Sequence, residues 1–317
     1  MNNSDAKIKY SVIILLEEKY EDFSQLINMF HEAFVKIKRP FEIVIVANGT
    51  EGFLRGELKK NDNYNSHLKA IALPQRTSQA VCLRTGFKIS KGEIIIICGS
   101  YQQITMDSLV GLLDSFNDDT DIISPWRQDR VDPLFNKLQS TMFNAVVRKI
   151  IGSKQHDLNC NIKIVRRDVL EETELYGNMY RFLPVLAAKK GFKTKEVKCE
   201  HFQERGKTGF YSFSEYATRI VDIVTLFFNT HFSRKPLRFF GALGSVFIVV
   251  GVFLMGFIFL QKLFSGYPVG DRFELLLAVF FMALGVQVSS VGLLGEIIAF
   301  THGRQKNDYT IEKIFSQ

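Results

Sequence analysis

The sequence predicts an α/β protein in which a doubly wound, mostly parallel sheet is followed by a membrane-surface helix and a two-helix transmembrane hairpin. Three observations support this fold class. Short β-branched runs alternate with amphipathic segments, a longer amphipathic stretch comes next, and two long uncharged stretches lie near the C-terminus. Alternating strands and helices are typical of parallel sheets, and uncharged apolar runs of about 20 residues are typical of membrane spans.

Five short runs in the N-terminal part are predicted to form strands, because most are rich in β-branched residues and all are bounded by polar or turn-forming residues. These runs are 10–16, 41–46, 68–73, 93–98 and 121–124. A second portion adds strands at 157–167 and 191–198 around a helix over 178–190. Ligands of such sheets bind at the carboxyl ends of strands, so the site is expected where the first four strands end.

The segment 210–236 is predicted to be a juxtamembrane amphipathic helix. Apolar residues recur at helical spacing between Phe213 and Phe232, and charged residues such as Glu215 and Arg219 lie between them. Because the segment directly precedes an uncharged stretch, we interpret it as a helix on the membrane surface. A core-facing helix of the preceding domain is the alternative.

Two stretches are long and apolar enough to cross a membrane as helices. Residues 239–261 and 275–295 contain no Asp, Glu, Lys or Arg, and about 20 helical residues span a hydrocarbon core. We predict spans at 239–261 and 275–297, within a transmembrane region 237–300. A pair of buried helices in a soluble domain is the alternative, although uncharged runs of this length are seldom of that kind.

The charges that flank the two stretches predict their orientation. Cations lie just before the first stretch, at 234–238, and just after the second, at 304–306, which is the bias found on the cytoplasmic side. The polar N-terminus is followed by too short an apolar run for a signal peptide. We therefore expect an integral inner-membrane protein whose N-terminal domain (1–209), C-terminal tail (301–317) and both termini are cytoplasmic.

The net charge and the cysteines argue against two other classes of protein. The formal net charge is +7, but much of the excess lies close to the membrane, where anionic headgroups explain it. There is no recognisable nucleic-acid motif, so no nucleic-acid partner is expected. Cys82, Cys98, Cys160 and Cys199 show neither zinc-site spacing nor a secreted disulfide framework, and they are expected to be reduced and buried.

Several motifs in the second half of the chain occur together in one known group of enzymes. They are Trp126-Arg127, Asp132-Pro133, Phe143-Asn144, Asp157-Leu158-Asn159-Cys160, Arg181-Phe182-Leu183-Pro184, Arg205-Gly206-Lys207 and Gly292-Leu293-Leu294-Gly295-Glu296. In this combination the chain resembles the dolichol-phosphate mannose synthase and bacterial polyprenyl-phosphate glycosyltransferase group. The resemblance implies a GT-A-like family-2 glycosyltransferase domain, which moves a sugar from a nucleotide donor to a polyprenyl phosphate.

The first half departs from this group where the donor and its metal would bind. The group's Asp-Asp-Gly-Ser becomes Ala47-Asn48-Gly49-Thr50, and its metal-binding Asp-x-Asp becomes Gly99-Ser100-Tyr101, with Gln103 retained nearby. A divalent ion on a nucleotide diphosphate needs carboxylate ligands. No cofactor is therefore expected. Mg²⁺ or Mn²⁺ is expected to bind only if this interpretation is wrong. Asn48, Gln103, Arg76 and Arg84 are the expected donor-binding residues, the arginines because cations stabilise a leaving diphosphate.

The basic residues on the acceptor side are retained. By the same resemblance, five residues are expected to bind the acceptor phosphate, since guanidinium groups hold phosphates through bidentate hydrogen bonds. They are Arg127, Lys137, Ser140, His201 and Arg205. Asp157 is the implied catalytic residue, because the group's aspartate shapes the sugar or acceptor site. Asp157 could equally be a turn former, and His201 a structural residue.

Three functions are open at this point. The first is a metal-free transferase that acts on a polyprenyl phosphate at the cytoplasmic face. The second is an inactive paralogue that binds a polyprenyl phosphate or a partner protein. The third, a processive polysaccharide synthase, is disfavoured because the Gln-x-x-Arg-Trp motif is absent and two spans cannot form a channel. We favour the transferase, with a nucleotide sugar, a polyprenyl phosphate and the membrane as partners; a homo-oligomer or glycan-assembly proteins are further candidates.

Overall fold

The computed structural model of this chain describes most of its sheet-forming part and two long C-terminal helices. The described residues are 8–17, 23–60, 67–128, 155–175, 177–202, 221, 225, 236–265 and 273–303. The chain divides into two units near residue 222. We call the first the sheet unit and the second the helical hairpin, and each is described by itself.

The described part of the sheet unit contains one seven-stranded sheet. Its strands are β1 (Tyr10–Leu16), β2 (Phe41–Asn48), β3 (Leu68–Leu73), β4 (Ile94–Cys98), β5 (Ile122–Gln128), β6 (Lys163–Arg166) and β7 (Thr194–Glu200). The strand order is β3-β2-β1-β4-β6-β5-β7. Neighbouring strands are parallel except at β6, which is antiparallel to β4 and β5. The mostly parallel, doubly wound sheet predicted from the sequence is confirmed.

Helices cover both faces of this sheet. They are α1 (Phe23–Ile37), α2 (Glu51–Lys60), α3 (Gln79–Ile89), α4 (Met106–Asp114), α5 (Arg167–Glu172) and α6 (Leu183–Lys189). Alternate residues of β1 point to opposite faces, so Ile14 packs with α1 and α4, whereas Ile13 packs with α3, α5 and α6. Because both faces are covered, β1 and β2 are buried along their whole length.

The sequence of α1 explains which of its faces is buried. Phe23, Leu26, Ile27, Phe30 and Phe34 recur at helical spacing, and each is buried against the sheet. Fully burying a large apolar side chain stabilises the fold by about 1.5–3 kcal/mol. This stripe therefore fixes the face of α1 that packs on the sheet.

Elements in the second half of the sheet unit differ most from the predictions. β5, predicted at 121–124, ends at Gln128, and β7, predicted at 191–198, runs from Thr194 to Glu200. Of the strand predicted at 157–167, only β6 is regular, because the Asp157 carboxylate accepts a hydrogen bond from the Asn159 N–H at 3.1 Å, closing a turn. The helix predicted at 178–190 begins as a 3₁₀ turn and continues as α6, which carries Pro184 in its first turn. Proline is accepted there because first-turn N–H groups lack helical partners.

The hairpin consists of α7 (Pro236–Ser265) and α8 (Phe273–Gly303). Both helices are long and apolar enough, by length and composition, to cross a membrane. They extend beyond the spans predicted at 239–261 and 275–297. A helix satisfies its backbone hydrogen bonds internally, so it can continue past the end of its apolar run.

Small residues form the contact between α7 and α8. We call Gly244, Gly251, Gly285 and Gly292 the glycine seam. A Cβ atom added at Gly285 would lie 2.6 Å from the Gly244 carbonyl oxygen, and one at Gly251 would lie 2.5 Å from the Met282 Cγ atom. Glycine is therefore required for the backbones to approach this closely, a kind of packing that is common in membrane helix pairs.

The motif 292–296 fixes the start of α7. A Cβ atom at Gly292 would lie 2.7 Å from the Phe240 Cβ atom, and one at Gly295 would lie 3.0 Å from the Pro236 Cγ atom. The Glu296 carboxylate accepts a hydrogen bond from the Leu237 N–H at 3.3 Å. First-turn N–H groups lack helical partners and favour a carboxylate, so this motif holds the N-terminus of α7 against α8.

Several expectations fall outside the described residues. The predicted amphipathic helix 210–236 is described only at Val221, Thr225 and Pro236, and the tail 301–317 only at its first three residues. The interpretation of 210–236 as a membrane-surface helix stays a prediction.

The four cysteines are buried and free, as predicted. Burial raises the pKa of the Cys98 thiol and of the Cys160 thiol. Thiolates are the reactive form of cysteine, so these side chains act as core residues.

Candidate functional site

Polar side chains meet where β1 and β2 end and α3 begins. The Asn48 amide donates to the Thr77 carbonyl at 2.8 Å and accepts from the Thr77 N–H at 2.7 Å. The Glu17 carboxylate accepts from the Gln79 amide at 2.6 Å and from the Asn48 amide at 3.3 Å. We call Glu17, Asn48, Thr77 and Gln79 the strand-end cluster. It lies at the sheet edge where ligands of parallel sheets bind.

The segment after β4 closes the same edge. The Ser100 hydroxyl donates to the Leu15 carbonyl and accepts from the Glu17 N–H, both at 3.0 Å. The Gln103 amide donates to the Tyr101 hydroxyl at 3.1 Å and accepts from the Asn161 N–H at 2.7 Å. Ser100 and Gln103 are therefore both held by protein groups in this structure.

The space beside Gly99 is filled by Asn161. A Cβ atom added at Gly99 would lie 2.8 Å from the Asn161 Nδ2 atom, which itself donates to the Tyr101 carbonyl at 3.1 Å. An aspartate at position 99 would therefore require Asn161 to move. The space beside Gly99 therefore fits the glycine present rather than a metal-binding aspartate.

The donor set at this edge does not suit a tightly bound divalent ion. Within the described residues, no group of three or more His, Cys, Asp or Glu side chains is placed to hold a metal. The strand-end cluster offers one carboxylate, from Glu17, and that carboxylate already accepts two amide hydrogen bonds. Mg²⁺ and Mn²⁺ prefer several oxygen ligands, usually including carboxylates.

The two arginines expected at the donor site lie in different places. Arg76 is exposed and directly precedes Thr77 of the strand-end cluster, and its backbone packs against Gly49. Gly49 has a φ of +71°, which favours glycine. Arg84 is also exposed, but it lies one turn into α3 and lines a cavity between α3 and α5. The structure thus brings Arg76, and not Arg84, to the strand-end cluster.

Arg127 and Asp157 form a buried ion pair at the end of β5. The Arg127 Nε atom donates to the Asp157 Oδ2 atom at 2.7 Å, and its Nη2 atom donates to the Oδ1 atom at 3.1 Å. The two side chains are 1% and 4% exposed. A lipid phosphate could reach this guanidinium only if the pair opened, so the phosphate-binding role of Arg127 stays a prediction that the geometry does not favour.

Lys163 is buried beside this ion pair. Its ammonium group donates to the Cys160 carbonyl at 2.7 Å. Burial lowers the pKa of Lys163, and the nearby Asp157 carboxylate opposes this shift only in part. A buried charge costs free energy unless it is paired. The Asp157 carboxylate is bonded directly to Arg127 and also lies near the Lys163 ammonium group.

A second carboxylate holds the backbone of Asp157. One oxygen of Glu196, on β7, accepts from the His156 N–H at 2.7 Å and from the Asp157 N–H at 2.9 Å. Its other oxygen contacts the His156 Nδ1 atom at 2.8 Å. The His156 ring stacks on Trp126, with 4.2 Å between ring centroids. These contacts fix the turn from which the Asp157 carboxylate reaches Arg127.

The remaining acceptor-side residues are divided between described and undescribed parts of the chain. His201 is half-buried and forms an isolated bridge with Ile104. Lys137, Ser140 and Arg205 lie outside the described residues. Their predicted contact with the acceptor phosphate stays a prediction.

Several residues of the site were not singled out from the sequence, among them Glu17, Gln79 and Glu196. Glu17 and Gln79 hydrogen-bond to each other although 62 positions separate them, and Glu196 bonds to the backbone near 157. Glu17 directly follows a buried strand, which is a signal that points to the ligand-binding edge. Gln79 and Glu196 carry no comparable local signal.

Comparisons with known proteins match this architecture. The model of the family described as Glycosyl transferase family 2 matches residues 12–173, which include most of β1, all of β2 to β6, Asn48 and Asp157. The chain is 26% identical over 310 residues to the undecaprenyl-phosphate 4-deoxy-4-formamido-L-arabinose transferase of Proteus mirabilis (strain HI4320), covering 96% of this chain and 94% of the relative.

A second curated relative covers nearly the whole chain. The chain is 25% identical over 323 residues to the dodecaprenyl-phosphate galacturonate synthase of Rhizobium johnstonii, covering 99% of this chain and 95% of the relative. Both matches continue beyond the sheet unit into the hairpin. The hairpin is therefore part of what this chain shares with those relatives.

One solved structure supports the fold. A crystal structure of glucosyl-3-phosphoglycerate synthase from Mycobacterium tuberculosis, in complex with Mn²⁺, uridine diphosphate and phosphoglyceric acid, superposes with a TM-score of 0.52. It is 10% identical and covers 71% of this chain and 79% of that chain. At this identity the similarity concerns the fold alone, and it agrees with the GT-A-like sheet expected from the sequence.

Proposed function

This chain belongs to glycosyl transferase family 2, and on that premise we propose that it transfers a sugar from a nucleotide donor to a polyprenyl phosphate. The observation that carries the proposal is the extent of the match to relatives named as polyprenyl-phosphate sugar transferases, which runs through the hairpin as well as the sheet unit. A lipid acceptor requires that the enzyme be held at the membrane, and α7 and α8 are long and apolar enough to do this.

We place the reaction at the cytoplasmic face of the inner membrane. The support is the excess of cations at 234–238 and 304–306, on the same side of both apolar helices. A cysteine introduced at Ser265, the last residue of α7, should react with an impermeant maleimide in sealed cells. A cysteine introduced at Asn307 should react only after the cells are opened, and the reverse pattern would overturn the topology.

The reaction needs no proton transfer. An oxygen of the lipid phosphate forms the new bond to the anomeric carbon, and the bond from that carbon to the nucleoside diphosphate breaks. The leaving diphosphate takes the electron pair, so cations near it stabilise the transition state. We assign this role to Arg76, which lies next to the strand-end cluster, and not to Arg84.

We propose that transfer proceeds without a tightly bound divalent ion. The support is the donor set described above, in which one carboxylate, from Glu17, is already hydrogen-bonded and Asn161 fills the space beside Gly99. Asn48 and Gln103 then serve as amide groups that shape the donor pocket. Asp157 orients Arg127 through the buried ion pair.

The test uses the full chain in nanodiscs that contain undecaprenyl phosphate, with a panel of nucleotide sugars. We expect one donor to give a polyprenyl phosphosugar detectable by mass spectrometry. Arg76→Gln should lower kcat, whereas Arg55→Gln, an exposed arginine on α2, should not. Lipid binding without product for any donor would support the inactive paralogue instead.

Chelation tests the metal assignment separately. The initial rate should be the same with and without EDTA, because no tightly held ion is removed. A rate that EDTA abolishes and Mn²⁺ restores would show that transfer depends on a divalent ion. The transferase proposal would survive that result, but the metal-free proposal would not.

A further inference from the structure

A cavity of about 360 Å³ lies between α3 and the segment that runs from α5 to Leu175. This volume is at the lower end of the range for small-molecule sites. Its lining residues are Ala80, Leu83, Arg84, Phe87, Lys88, Leu170, Glu171, Thr173 and Leu175. None of them belongs to the strand-end cluster or to the Arg127–Asp157 pair.

One face of α3 forms the first wall. Ala80, Leu83, Arg84, Phe87 and Lys88 follow the spacing i, i+3, i+4, i+7 and i+8, so they lie in one stripe along the helix. The apolar members lie beside two cations that are one turn apart. This arrangement places positive charge next to an apolar surface.

The walls are held by contacts outside the cavity. The Arg167 guanidinium lies 4.7 Å from the centre of the Phe87 ring, and it donates to the carbonyls of Ser90 and Gly92. The Ala80 N–H donates to the Gly177 carbonyl at 3.0 Å, which anchors the first turn of α3. The cavity is therefore preformed rather than dependent on a ligand to order it.

The charged side chains around the cavity are unpaired within the described part of the chain. Arg84 and Lys88 form no ion pair or hydrogen bond with any described residue, and neither does Glu171 on the opposite wall. Other exposed cations of the sheet unit, such as Lys36 and Lys193, form ion pairs at 2.9 and 2.5 Å. The two cations and the single carboxylate leave one net positive charge facing the cavity.

A buried hydroxyl completes the lining. Thr173 is 5% exposed, and its Oγ1 atom has no hydrogen-bond partner among the described residues. A buried polar atom without a partner costs free energy, so native structures usually satisfy it with protein, water or ligand. Because the Oγ1 atom itself is fully buried, a ligand in the cavity would become that partner only if the Thr173 side chain turned toward it.

We propose that this cavity binds a small organic anion with a compact apolar body and a carboxylate or phosphate monoester group. Arg84 and Lys88 would hold the anionic group, because charge-assisted hydrogen bonds are the strongest available there. Leu83, Leu170 and Leu175 would contact the apolar body. Glu171 would disfavour ligands with more negative charge than the two cations neutralise.

The experiment measures binding to the full chain in nanodiscs that lack polyprenyl phosphate and nucleotide sugar, so it does not depend on transferase activity. Ligand-observed NMR gives dissociation constants for butyl phosphate and butyrate, which distinguish the two anionic groups. Inorganic phosphate carries the charge without the apolar body, and butanol carries the body without the charge. At least one of the two organic anions should bind roughly tenfold more tightly than both fragments.

Two variants test the contacts. The double variant Arg84→Gln with Lys88→Gln should weaken binding roughly tenfold or more, since it removes the charged donors. Thr173→Val, which keeps the side-chain shape, should weaken binding about threefold. The matched control is Arg55→Gln with Lys59→Gln, the same pair of residue types one turn apart on α2, where no change is expected.

Each possible result either supports the proposed site or overturns it. Tighter binding of an organic anion, lost in the Arg84 and Lys88 variant and kept in the Arg55 and Lys59 control, supports the site. Equal binding by both double variants would overturn it, as would butanol binding as tightly as butyl phosphate and butyrate. Absence of binding to the folded wild-type protein at millimolar ligand would overturn it as well.

Discussion

The sheet unit and the helical hairpin are held together by opposite kinds of contact. In the sheet unit the largest side chains point inward: Phe30 and Phe182 are fully buried, and buried charges such as Arg127 are paired. In the hairpin large side chains point outward, with Phe253 72% and Phe264 81% exposed, while glycines meet between the helices.

The difference follows from the surroundings expected for each unit. In water, burial of large apolar side chains drives folding. In a bilayer the lipid tails are as apolar as the side chains, so helices associate through close packing of small residues. The stability of the sheet unit should therefore fall when a substitution removes side-chain volume or leaves a buried charge unpaired. The stability of the hairpin should fall when a substitution adds volume between its helices.

The largest effect is expected from breaking the buried ion pair. Arg127→Ala should lower the free energy of unfolding of the sheet unit by about 3–5 kcal/mol, because it leaves the Asp157 carboxylate buried without its partner. The double variant Arg127→Ala with Asp157→Ala should lose less. Urea unfolding followed by fluorescence reports on this unit, because Trp126 is the single tryptophan of the chain.

A matched surface pair provides the control for that experiment. Arg55 forms an exposed ion pair with Glu51 at 2.6 Å, and the two side chains are 75% and 47% exposed. Arg55→Ala should cost less than about 1 kcal/mol. Similar losses at Arg127 and Arg55 would mean that burial of the Arg127–Asp157 pair contributes little.

Added volume should break the hairpin next. Gly251→Leu should destabilise it by about 1–3 kcal/mol or more, because a Cβ atom there would lie 2.5 Å from Met282 Cγ and 2.8 Å from the Ala278 carbonyl oxygen. The measurement is the temperature at which the detergent-solubilised protein loses its monodisperse elution peak. Gly256→Leu is the control on the same helix, since nothing lies within 4 Å of an added Cβ atom there. Equal losses at the two glycines would contradict the glycine seam.

Acid should weaken the sheet unit through Glu42, a buried carboxylate at the start of β2. Burial raises the pKa of Glu42, but hydrogen bonds from Lys69, the Lys91 N–H and Ser11 outweigh that effect and leave the pKa lowered. The pKa of Glu42 is lower in the folded protein than in the unfolded chain, where it is about 4.3, so the ionised carboxylate stabilises the fold at pH values above about 4.3. This stabilisation is lost as the pH falls through the pKa of the folded state.

Glu42→Gln isolates that contribution. The variant should lose about 1–2 kcal/mol at neutral pH, and its stability should fall less steeply than that of the wild type below about pH 4.3. Urea unfolding at several pH values gives both quantities. Glu51→Gln, on the exposed start of α2, should keep the acid dependence of the wild type. An unchanged acid dependence in Glu42→Gln would refute the assignment.

The smallest changes in stability are expected when one hydroxyl group is removed from each unit. Thr105 caps α4 by accepting from the Ser108 N–H at 3.3 Å, so Thr105→Ala should cost about 1 kcal/mol. Ser290 donates to the Val286 carbonyl of its own helix at 2.9 Å, and Ser290→Ala should change stability by less than about 0.5 kcal/mol. Each variant is measured by the assay used for its own unit. A loss of stability larger than this in Ser290→Ala would indicate that the Ser290 hydroxyl makes a further polar contact within the hairpin.

Much of the fold could be predicted from the sequence, because the relevant patterns are local. The boundaries of β1 and β3 are as predicted, and those of β2 and β4 differ by one or two residues. Both apolar helices were predicted, since an uncharged run is visible without knowledge of any contact. The glycine seam was not, because a glycine's neighbours across a helix pair cannot be read from its own segment.

The sequence by itself determined which residues follow the strands, and therefore that Asn48 and Gln103 lie at the carboxyl edge of the sheet, where the site is expected. The tertiary structure decided which side chains meet there. Arg127 pairs with Asp157 across 30 positions, and Arg84 turns to the cavity between α3 and α5 rather than to the strand-end cluster. The physical reason is that periodicity specifies a residue's face within its own element, whereas contacts between distant residues depend on the strand order, in which β6 lies between β4 and β5.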